Sequence, residues 1–351
     1  MPKPNVLALV MAGGEQYRLQ SLNDELANGR PWDLDRTHGG LRLLPPRLGA
    51  DDDGFHEGNA DALWRNRQLI AEHDPEVVLV LSADHVYRLD YGEVLARHRE
   101  RRAGVTVVTS EVPAAEASRQ AVVEVDGDGR LGGFHYKPEE PPTTRVATEV
   151  FAFRTGLLLD TLDGLAADGE LQDFGHGLLP RLVEAGQAVE HHMAGYRRDV
   201  GTVPAYWQAH MDLLNPERPL DLDDPAWPIL GRAPHRRPAR VEDTARLEAA
   251  LLSPGSVVAG AVARSVLGPG VVVEPGATVR DAVLLDDCVV AAGARVKRAV
   301  LDRGVRVGPE AVVGGPGGDG PALVAEEARV PGGAGVAPGG RFGADRPGEA
   351  A

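Results

Sequence analysis

The pattern of apolar residues along residues 1–215 differs from the pattern that begins at about residue 251. In the first part, short apolar runs alternate with amphipathic stretches. The apolar runs predict strands at residues 6–11, 77–81, 105–109, 122–125, 146–153 and 189–193. The amphipathic stretches predict helices at residues 60–73 and 91–102. Strands that alternate with helices predict an α/β fold with a Rossmann-like, mostly parallel sheet covered on both faces.

Beyond residue 251, aliphatic residues recur every six positions, and small residues fill the places between them. With two one-residue slips, the residues in this register are Leu267, Val273, Val279, Leu285, Val290, Val296, Leu301, Val307 and Val313. This hexapeptide repeat predicts a left-handed parallel β-helix, in which one aliphatic side chain per flat face points inward. A valine- and glycine-rich β-sandwich is the alternative, and nine positions in register argue against it.

These patterns divide the chain into four parts. We predict an α/β domain over residues 1–215 and a linker rich in Pro, Arg and Asp over residues 216–250. The β-helix then covers residues 251–315, and a low-complexity tail rich in Gly and Pro covers residues 316–351.

Charge and composition narrow the classes of function. The net charge of −15 and the isoelectric point of about 5.2 argue against a nucleic-acid groove or an anionic membrane surface. An anionic substrate must therefore be held by a few local cations. Cys288 is the only cysteine, so an intrachain disulfide is excluded and we expect a cytoplasmic protein. We expect neither a secretory leader nor a membrane span, because the sequence lacks an apolar run of about 18 residues.

The first candidate chemistry is a pair of carboxylates at strand ends. Asp84 lies just past the apolar run 77–81, and Asp199 lies at another strand-to-turn junction. Ligands bind at the carboxyl edge of open parallel sheets, and Mg²⁺ prefers carboxylate and phosphate oxygens. Together the two carboxylates could hold one Mg²⁺ against a transferring phosphate. For Asp84 alone, the alternative is a helix N-cap.

Two further segments suit phosphates. The apolar run 6–11 leads into Ala-Gly-Gly at residues 12–14, where the lack of bulk lets backbone N–H groups approach a phosphate. Lys137 precedes Pro138 on an extended segment, which presents the ammonium group from a rigid base. A point cation of this kind suits a sugar phosphate, although an exposed lysine is more often a solubilising charge.

Several motifs, in order along the chain, resemble those of the ADP-glucose pyrophosphorylases, also called glucose-1-phosphate adenylyltransferases. They are Ser-Ala-Asp-His-Val-Tyr around Asp84, Lys-Pro at Lys137, Asp-Phe-Gly at residues 173–175 and Arg-Asp-Val-Gly-Thr around Asp199. The resemblance covers residues 5–14 and 16–313. It implies a nucleotidyltransferase domain that converts ATP and glucose 1-phosphate into ADP-glucose and pyrophosphate for glycogen biosynthesis. It also implies a homotetramer, with the β-helix supporting subunit contacts.

The same resemblance implies roles for particular residues. Asp84 and Asp199 are the carboxylates that hold Mg²⁺, and Lys137 binds the phosphate of glucose 1-phosphate. The residues expected to contact the nucleotide are Ala12, Gly13, Gly14, Arg18, Gly58, Ala60 and Asp61. At the last three, a plain helix N-terminus with Asn59 or Asp61 as a cap is the structural alternative.

Two departures from the family pattern affect the expected chemistry. Tyr136 stands where the family has a Glu that grips sugar hydroxyls, and we hypothesise that Glu149 supplies the missing carboxylate. About 40–50 residues, which carry the rest of the phosphate loop and the second βα unit, are absent after Gly14. In one alignment across this break Arg18 binds the triphosphate. In the other, which we favour, residues 15–24 match a later segment of the family.

The break after Gly14 leaves more than one function open. Losing phosphate-loop contacts and cations predicts low activity, because charge stabilisation dominates phosphoryl-type transfer. The first alternative is therefore an impaired or regulatory relative that associates with an intact paralogue. An acyltransferase is a weaker alternative, because residues 251–313 contain no histidine for that chemistry. A segment lost in sequencing would leave an ordinary enzyme.

Overall fold

The structure is a computed structural model that describes residues 5–11, 23, 25–27, 29–36, 39–44, 58–217, 219–231 and 235–343. The chain forms two compact units. The first comprises Met1–Gly29 and Asp33–Arg197, and the second comprises Arg30–Trp32 and Arg198–Ala351. The division along the chain therefore falls after Arg197, before the predicted boundary at residue 215.

The first unit contains strands and helices in alternation, as the apolar pattern predicts. Its strands are β1 (Val6–Met11), β2 (Val77–Ser82), β3 (His85–Tyr87), β4 (Val105–Glu111), β5 (Ala121–Val125), β6 (Leu131–Tyr136), β7 (Arg145–Arg154) and β8 (Ala188–His192). Its helices are α1 (Asn59–Arg65), α2 (Arg67–His73), α3 (Tyr91–Glu100), α4 (Ala114–Ala117), α5 (Thr155–Asp168) and α6 (Leu178–Glu184). A short strand, β9 (Arg197–Asp199), spans the boundary between the units.

A seven-stranded sheet organises the first unit. Its main order is β1-β2-β7-β4-β8, while β5 pairs with β6 and β7 beside this path. β1 and β2 are parallel, as are β4 and β8, in agreement with the prediction of a mostly parallel sheet. The central strand β7 runs antiparallel to both of its neighbours, β2 and β4. The sequence did not predict this reversal, because a buried strand has the same apolar pattern in either direction.

Helices cover both faces of the sheet because alternate residues of each strand point to opposite sides. Val78 and Val80 of β2 pack in one cluster with the leucines of α5 and α6. Val77 and Leu79 pack in a second cluster with Val94 of α3. Among the described helices, none combines the length and the apolar character that a bilayer span requires.

The second unit is built of stacked parallel strands. Its helix is α7 (Val203–Asp212), and its strands are β10 (Arg240–Val241), β11 (Arg246–Leu252), β12 (Val257–Val258), β13 (Ala261–Leu267), β14 (Val272–Val273), β15 (Thr278–Leu284), β16 (Val289–Val290), β17 (Arg295–Leu301), β18 (Arg306–Val307), β19 (Val312–Gly314), β20 (Ala322–Val324), β21 (Arg329–Val330), β22 (Gly335–Val336) and β23 (Arg341–Phe342). One stack has the order β10-β12-β14-β16-β18-β21, and the other follows β11-β13-β15-β17-β19-β22. These stacked parallel strands are those of the β-helix that the hexapeptide repeat predicts.

The apolar repeat fills the interior of this β-helix, with one correction. Eight of the nine predicted inward residues are buried, but Leu285 is only half-buried and Leu284 is fully buried in its place. Leu284 pairs with Leu267 and Leu301 on the neighbouring coils. The slip in the repeat lies earlier than predicted, because Asp281 turns the corner of the coil in a left-handed conformation, with φ of 51°.

The β-helix extends beyond both of its predicted ends. β10 and most of β11 lie within the predicted linker, and β20 to β23 lie within the predicted low-complexity tail. Glycines of that segment, such as Gly333 and Gly339, adopt positive φ values in turns between strands. Its Gly- and Pro-rich composition therefore reflects the turns of further coils.

A buried histidine makes the first unit sensitive to acid. His98 of α3 is 4 % exposed, and its Nδ1 lies 2.9 Å from Oγ1 of Thr106 on β4. Burial, with a smaller contribution from nearby Arg154, lowers the pKa of His98 from 6.5 to about 4. The folded state therefore favours the neutral ring. This stabilisation is complete above pH 6.5 and is lost as the pH falls towards 4.

The corrected register of the β-helix is tested by truncating the two adjacent leucines. Leu284→Ala should lower the free energy of unfolding by about 2–5 kcal/mol, because it leaves a cavity in a fully packed interior. Leu285→Ala, one position along, should cost much less. Urea unfolding of the two variants measures the difference. Equal losses would contradict the register.

The role of His98 is tested by comparing the native protein with His98→Gln at two pH values. At pH 7.5 the native protein should be the more stable of the two. Acidification to pH 4.5 should shrink the difference in free energy of unfolding by about 2–3 kcal/mol, because only the native protein has a histidine at position 98 whose ring must stay neutral. Urea unfolding at both pH values measures the change, and a constant difference would exclude this role.

Candidate functional site

The carboxyl ends of β1 and β2 lie side by side, and Asp84 follows them. The backbone N–H of Ala83 donates to the carbonyl of Met11 at 3.1 Å, which keeps the ends of the two strands together. The hydroxyl of Ser82 donates to Oδ1 of Asp84. The Asp84 side chain is 55 % exposed, so its carboxylate remains accessible at the edge where parallel sheets bind ligands.

A bulge in β7 places a second carboxylate at this edge. The pairing of β4 with β7 shifts register between Val107 and Thr109. Thr148 stabilises the bulge, because its buried hydroxyl donates to the carbonyl of Val108 at 3.0 Å. Glu149 follows with φ of 57°, a left-handed conformation that is unfavourable for a residue with a Cβ atom. Bulges of this kind re-aim side chains beside active sites.

His85 connects the two carboxylates. Its Nδ1 lies 2.8 Å from the carbonyl oxygen of Thr148. A carbonyl oxygen only accepts, so Nδ1 carries a hydrogen, and Nε2 is the ring nitrogen that faces the carboxylate of Asp84. Nε2 lies 3.8 Å from Oδ1 of Asp84. One ligand atom from each of Asp84, His85 and Glu149 lies within 4.8 Å of the others. Two carboxylates and an imidazole nitrogen form a donor set that suits a divalent cation.

Lys137 is held at the end of β6 in a restricted backbone conformation. Its φ is 46°, and its backbone N–H donates to the carbonyl of Gln120 at 3.1 Å. The side-chain oxygen of Gln120 accepts a hydrogen bond from Nη1 of Arg197 at 2.7 Å. Nζ of Lys137 lies 4.9 Å from the ring centroid of Tyr136. The structure thus presents the predicted lysine as an exposed cation with a second cation, Arg197, anchored nearby.

Tyr136 fills the place that the sequence analysis singled out as a departure. Its ring packs edge-on against the ring of His176, with centroids 4.7 Å apart. It also lies so close to Gly175 that a Cβ atom there would meet the ring at 2.2 Å. An aromatic side chain at this position is therefore accommodated by a glycine on the facing segment.

The predicted nucleotide segment at residues 58–61 forms the start of α1. Gly58 has φ of 104°, and a Cβ atom there would meet the backbone of Gln172 at 2.7 Å. The backbone N–H of Ala60 donates to the carbonyl of Gln172 at 3.0 Å. Asp61 is 6 % exposed and accepts from Nε of Arg65 at 2.9 Å. These contacts give Gly58 and Asp61 a structural role, and their binding of a nucleotide stays a prediction.

A cavity that the sequence analysis missed lies at the carboxyl ends of β4 and β8. Its volume is about 170 Å³, and it is lined by residues 110–112 and 192–195 and by Arg197. The buried hydroxyl oxygen of Ser110 has no hydrogen-bond partner among the described residues. A hydrogen bond from Thr144, together with Arg145, holds the pKa of Glu111 below its usual range. Its lining comes from segments far apart in the chain, which no local motif signals.

The remaining predicted residues fall in two groups. Ala12, Gly13, Gly14 and Arg18 lie outside the described residues. Asp199 belongs to the second unit, where its Oδ1 accepts from the backbone N–H of Gly201 at 2.8 Å. The pairing of Asp84 with Asp199 on one metal ion stays a prediction, as does the contact of Glu149 with sugar hydroxyls.

Comparison with known proteins agrees with this arrangement of two units. The Nucleotidyl transferase family matches residues 44–216, and the GlmU-like, C-terminal hexapeptide family matches residues 238–318. A protein of Thermomicrobium roseum named glucose-1-phosphate adenylyltransferase is 41 % identical over 302 residues, which are 85 % of this chain and 71 % of that protein. The chain belongs to the glucose-1-phosphate adenylyltransferase family.

Other members of the family support the same assignment. The Desulforamulus reducens protein of the same name is 35 % identical over 288 residues, covering 82 % of this chain and 72 % of its own. A Bacillus cereus protein of that name is 35 % identical over 301 residues, covering 85 % and 78 %. The family resemblance predicted from the motifs around Asp84, Lys137 and Asp199 is therefore confirmed.

The strain at Glu149 offers a test of why this member of the family keeps the residue. Glu149→Gly should raise the free energy of unfolding by about 1 kcal/mol, because glycine adopts positive φ without a Cβ clash. Glu149→Ala removes the same carboxylate but keeps the Cβ, and should bring no gain. Thermal unfolding compares the two variants. Equal stabilities would mean that the backbone stores no strain at this position.

Proposed function

We propose that the protein is a glucose-1-phosphate adenylyltransferase, a sugar-1-phosphate nucleotidyltransferase that forms ADP-glucose and pyrophosphate from ATP and glucose 1-phosphate. The observation that carries the proposal is the family membership, with 41 % identity over 302 residues to a protein of that name. The exposed carboxylate of Asp84 at the sheet edge and the exposed cation of Lys137 at the end of β6 supply chemistry of the required kind.

In the proposed reaction, a phosphate oxygen of glucose 1-phosphate attacks the α-phosphorus of ATP. The new bond joins this oxygen to the α-phosphorus, the bond from the α-phosphorus to the β-phosphate oxygen breaks, and pyrophosphate leaves with that electron pair. Little covalent chemistry is required of the protein. Positioning and charge stabilisation supply most of the rate enhancement in such transfers.

Lys137 is the residue that we assign to the phosphate of the sugar. Its backbone is fixed by Gln120, which also holds Arg197, so that the ammonium group starts from an anchored position. Two cations near one bound phosphate offset the negative net charge of the chain, which would otherwise repel an anionic substrate. Tyr136 replaces the family's glutamate, so we propose that sugar hydroxyls are contacted by other groups, with Glu149 as the candidate carboxylate.

We assign Asp84 and Asp199 as carboxylate ligands of Mg²⁺, in keeping with the oxygen donors that this ion prefers. When bound, the ion would neutralise charge on the phosphates. Each of the two carboxylates accepts a hydrogen bond from a neighbour in the chain. Ser82 donates to Asp84, and the backbone of Gly201 donates to Asp199.

We further propose that the protein acts as a homotetramer, or with an intact paralogue, in the cytoplasm. Exposed aliphatic side chains on the β-helix, including Leu247, Leu251 and Val312, support a role of this unit in subunit contacts. A second candidate function, that of a non-catalytic regulatory relative, is favoured by the sequence after Gly14. In both alignments considered for that region, the family's Ala-Lys-Pro lysine and its Arg-Leu-Ile-Asp-Phe strand have no counterpart in the sequence.

The proposed function is tested by pyrophosphate release with Mg²⁺, ATP and glucose 1-phosphate. Lys137→Ala should raise the KM for glucose 1-phosphate by about tenfold or more, because a charge-assisted phosphate contact is lost, and should leave the KM for ATP unchanged. Lys297→Ala, which removes an exposed lysine of β17, is the matched control and should change neither constant.

Asp84→Asn completes this set and should abolish turnover. A folded native protein that releases no pyrophosphate would overturn the catalytic proposal and favour the regulatory relative. Turnover that survives in Asp84→Asn would instead place the reacting phosphates away from the end of β2.

A further inference from the structure

We propose that Asp84, His85 and Glu149 form a three-ligand site for a first-row transition metal ion, such as Co²⁺ or Mn²⁺. The site deepens the proposed function, on which it rests only for the use of the cation in catalysis. It shares Asp84 with the proposed Mg²⁺ site, and it gives Glu149 a metal ion as its partner in place of sugar hydroxyls. His85 and Glu149 were not expected to hold a metal from the sequence, where only Asp84 and Asp199 were candidates.

The tautomer of His85 is the first observation that supports the site. Histidines that bind metals through one ring nitrogen usually donate the other N–H to a carbonyl or carboxylate, which fixes the ring. Nδ1 of His85 makes this contact with the carbonyl of Thr148 at 2.8 Å, and the His85 side chain is 2 % exposed. The arrangement fixes the ring with Nε2 towards Asp84, where this nitrogen is placed to bind a metal ion.

The surroundings of Nε2 are the second observation. It faces Oδ1 of Asp84 at 3.8 Å, which is too long for a hydrogen bond. A divalent cation between these two atoms could be bound by both of them. One carboxylate oxygen of Glu149, one of Asp84 and one ring nitrogen of His85 all lie within 4.8 Å of one another. Small movements of the two exposed carboxylates would bring all three donors to metal-bonding distance.

The backbone of Glu149 is the third observation. Thr148 and Glu149 form the bulge opposite β4, and Glu149 adopts its unfavourable φ of 57° within it. The same carbonyl that fixes the His85 ring precedes Glu149 in the chain. One bulge therefore orients both the imidazole and the second carboxylate towards Asp84.

The donor set also predicts which ion is preferred. Mg²⁺ binds oxygen ligands and retains water, whereas imidazole nitrogen favours transition metals along the series from Mn²⁺ to Cu²⁺. A site with one nitrogen and two carboxylates should therefore bind Co²⁺ or Mn²⁺ more tightly than Mg²⁺. The preference for Co²⁺ or Mn²⁺ over Mg²⁺ should depend on the nitrogen of His85. Glu149 supplies the second negative charge of the site.

The test uses the full chain, without a histidine tag, stripped with chelator and titrated with Co²⁺ alone by calorimetry and visible absorption. One Co²⁺ should bind per chain, with a lower Kd than that for Mg²⁺. His85→Asn and Glu149→Gln should each raise the Kd for Co²⁺ by about tenfold or more. Glu139→Gln, an exposed carboxylate outside the site, is the matched control and should leave the Kd unchanged.

The choice of variants keeps the test decisive. In His85→Asn the amide nitrogen replaces Nδ1 as donor to Thr148, so the bulge keeps its anchor while Nε2 is lost. If this variant does not fold, Glu149→Gln, whose side chain is exposed, decides the question. Absence of Co²⁺ binding by folded native protein would overturn the proposal, as would a Kd that neither variant changes. The latter result would mark any bound Co²⁺ as adventitious.

The outcome of the Co²⁺ titration can be distinguished from the outcome of the pyrophosphate-release assay. Metal binding that depends on His85 and Glu149, without pyrophosphate release, would retain the site and refute the catalytic function. Turnover that requires Asp84, with a Kd for Co²⁺ independent of His85 and Glu149, would retain the enzyme and refute the three-ligand site.

Discussion

The hydrogen bond from His85 to the carbonyl of Thr148 ties the end of β2 to the bulge of β7. The described part of the candidate metal site depends on it. β2 brings Asp84 to the edge of the sheet, and β7 brings Glu149 from the opposite direction. Without this bond the bulge would lose a partner, and no hydrogen bond to Thr148 would fix the orientation of the imidazole. A single contact therefore places the hydrogen on Nδ1 of His85 and holds the bulge that orients the carboxylate of Glu149.

The second unit follows a different constraint, which is the need to keep one aliphatic side chain per face inside a narrow coil. Its corners are turned by residues with left-handed backbone, such as Asp281, and its interior is filled by Leu267, Leu284 and Leu301 in register. Each coil contacts mainly its neighbours, so further coils extend the same stacks of strands. The Gly- and Pro-rich segment up to Phe342 forms such further coils, with strands β20 to β23.

Local patterns in the sequence predicted the elements that depend on local physics. The apolar runs located β1, β2 and β4, and the hexapeptide repeat located most of the β-helix core. The direction of β7, its bulge and the approach of Glu149 to Asp84 were not predictable in this way. They arise from pairing between strands separated by many residues, which a local pattern does not identify. Leu284 was misplaced by one position because a corner residue interrupts the repeat.

The candidate site shows the same division. Asp84 and Lys137 were identified from their motifs, whereas His85 and the cavity at the ends of β4 and β8 emerged only from the fold. A histidine next to a motif aspartate has no distinct signal in sequence. Its importance lies in a carbonyl contributed by a different strand.

Anomalous diffraction from crystals grown with Co²⁺ is the most direct test of the three-ligand site, because it locates the ion without reference to activity. We expect one peak at bonding distance from Nε2 of His85 and from carboxylate oxygens of Asp84 and Glu149. A peak bonded to Asp84 but distant from both His85 and Glu149 would contradict it.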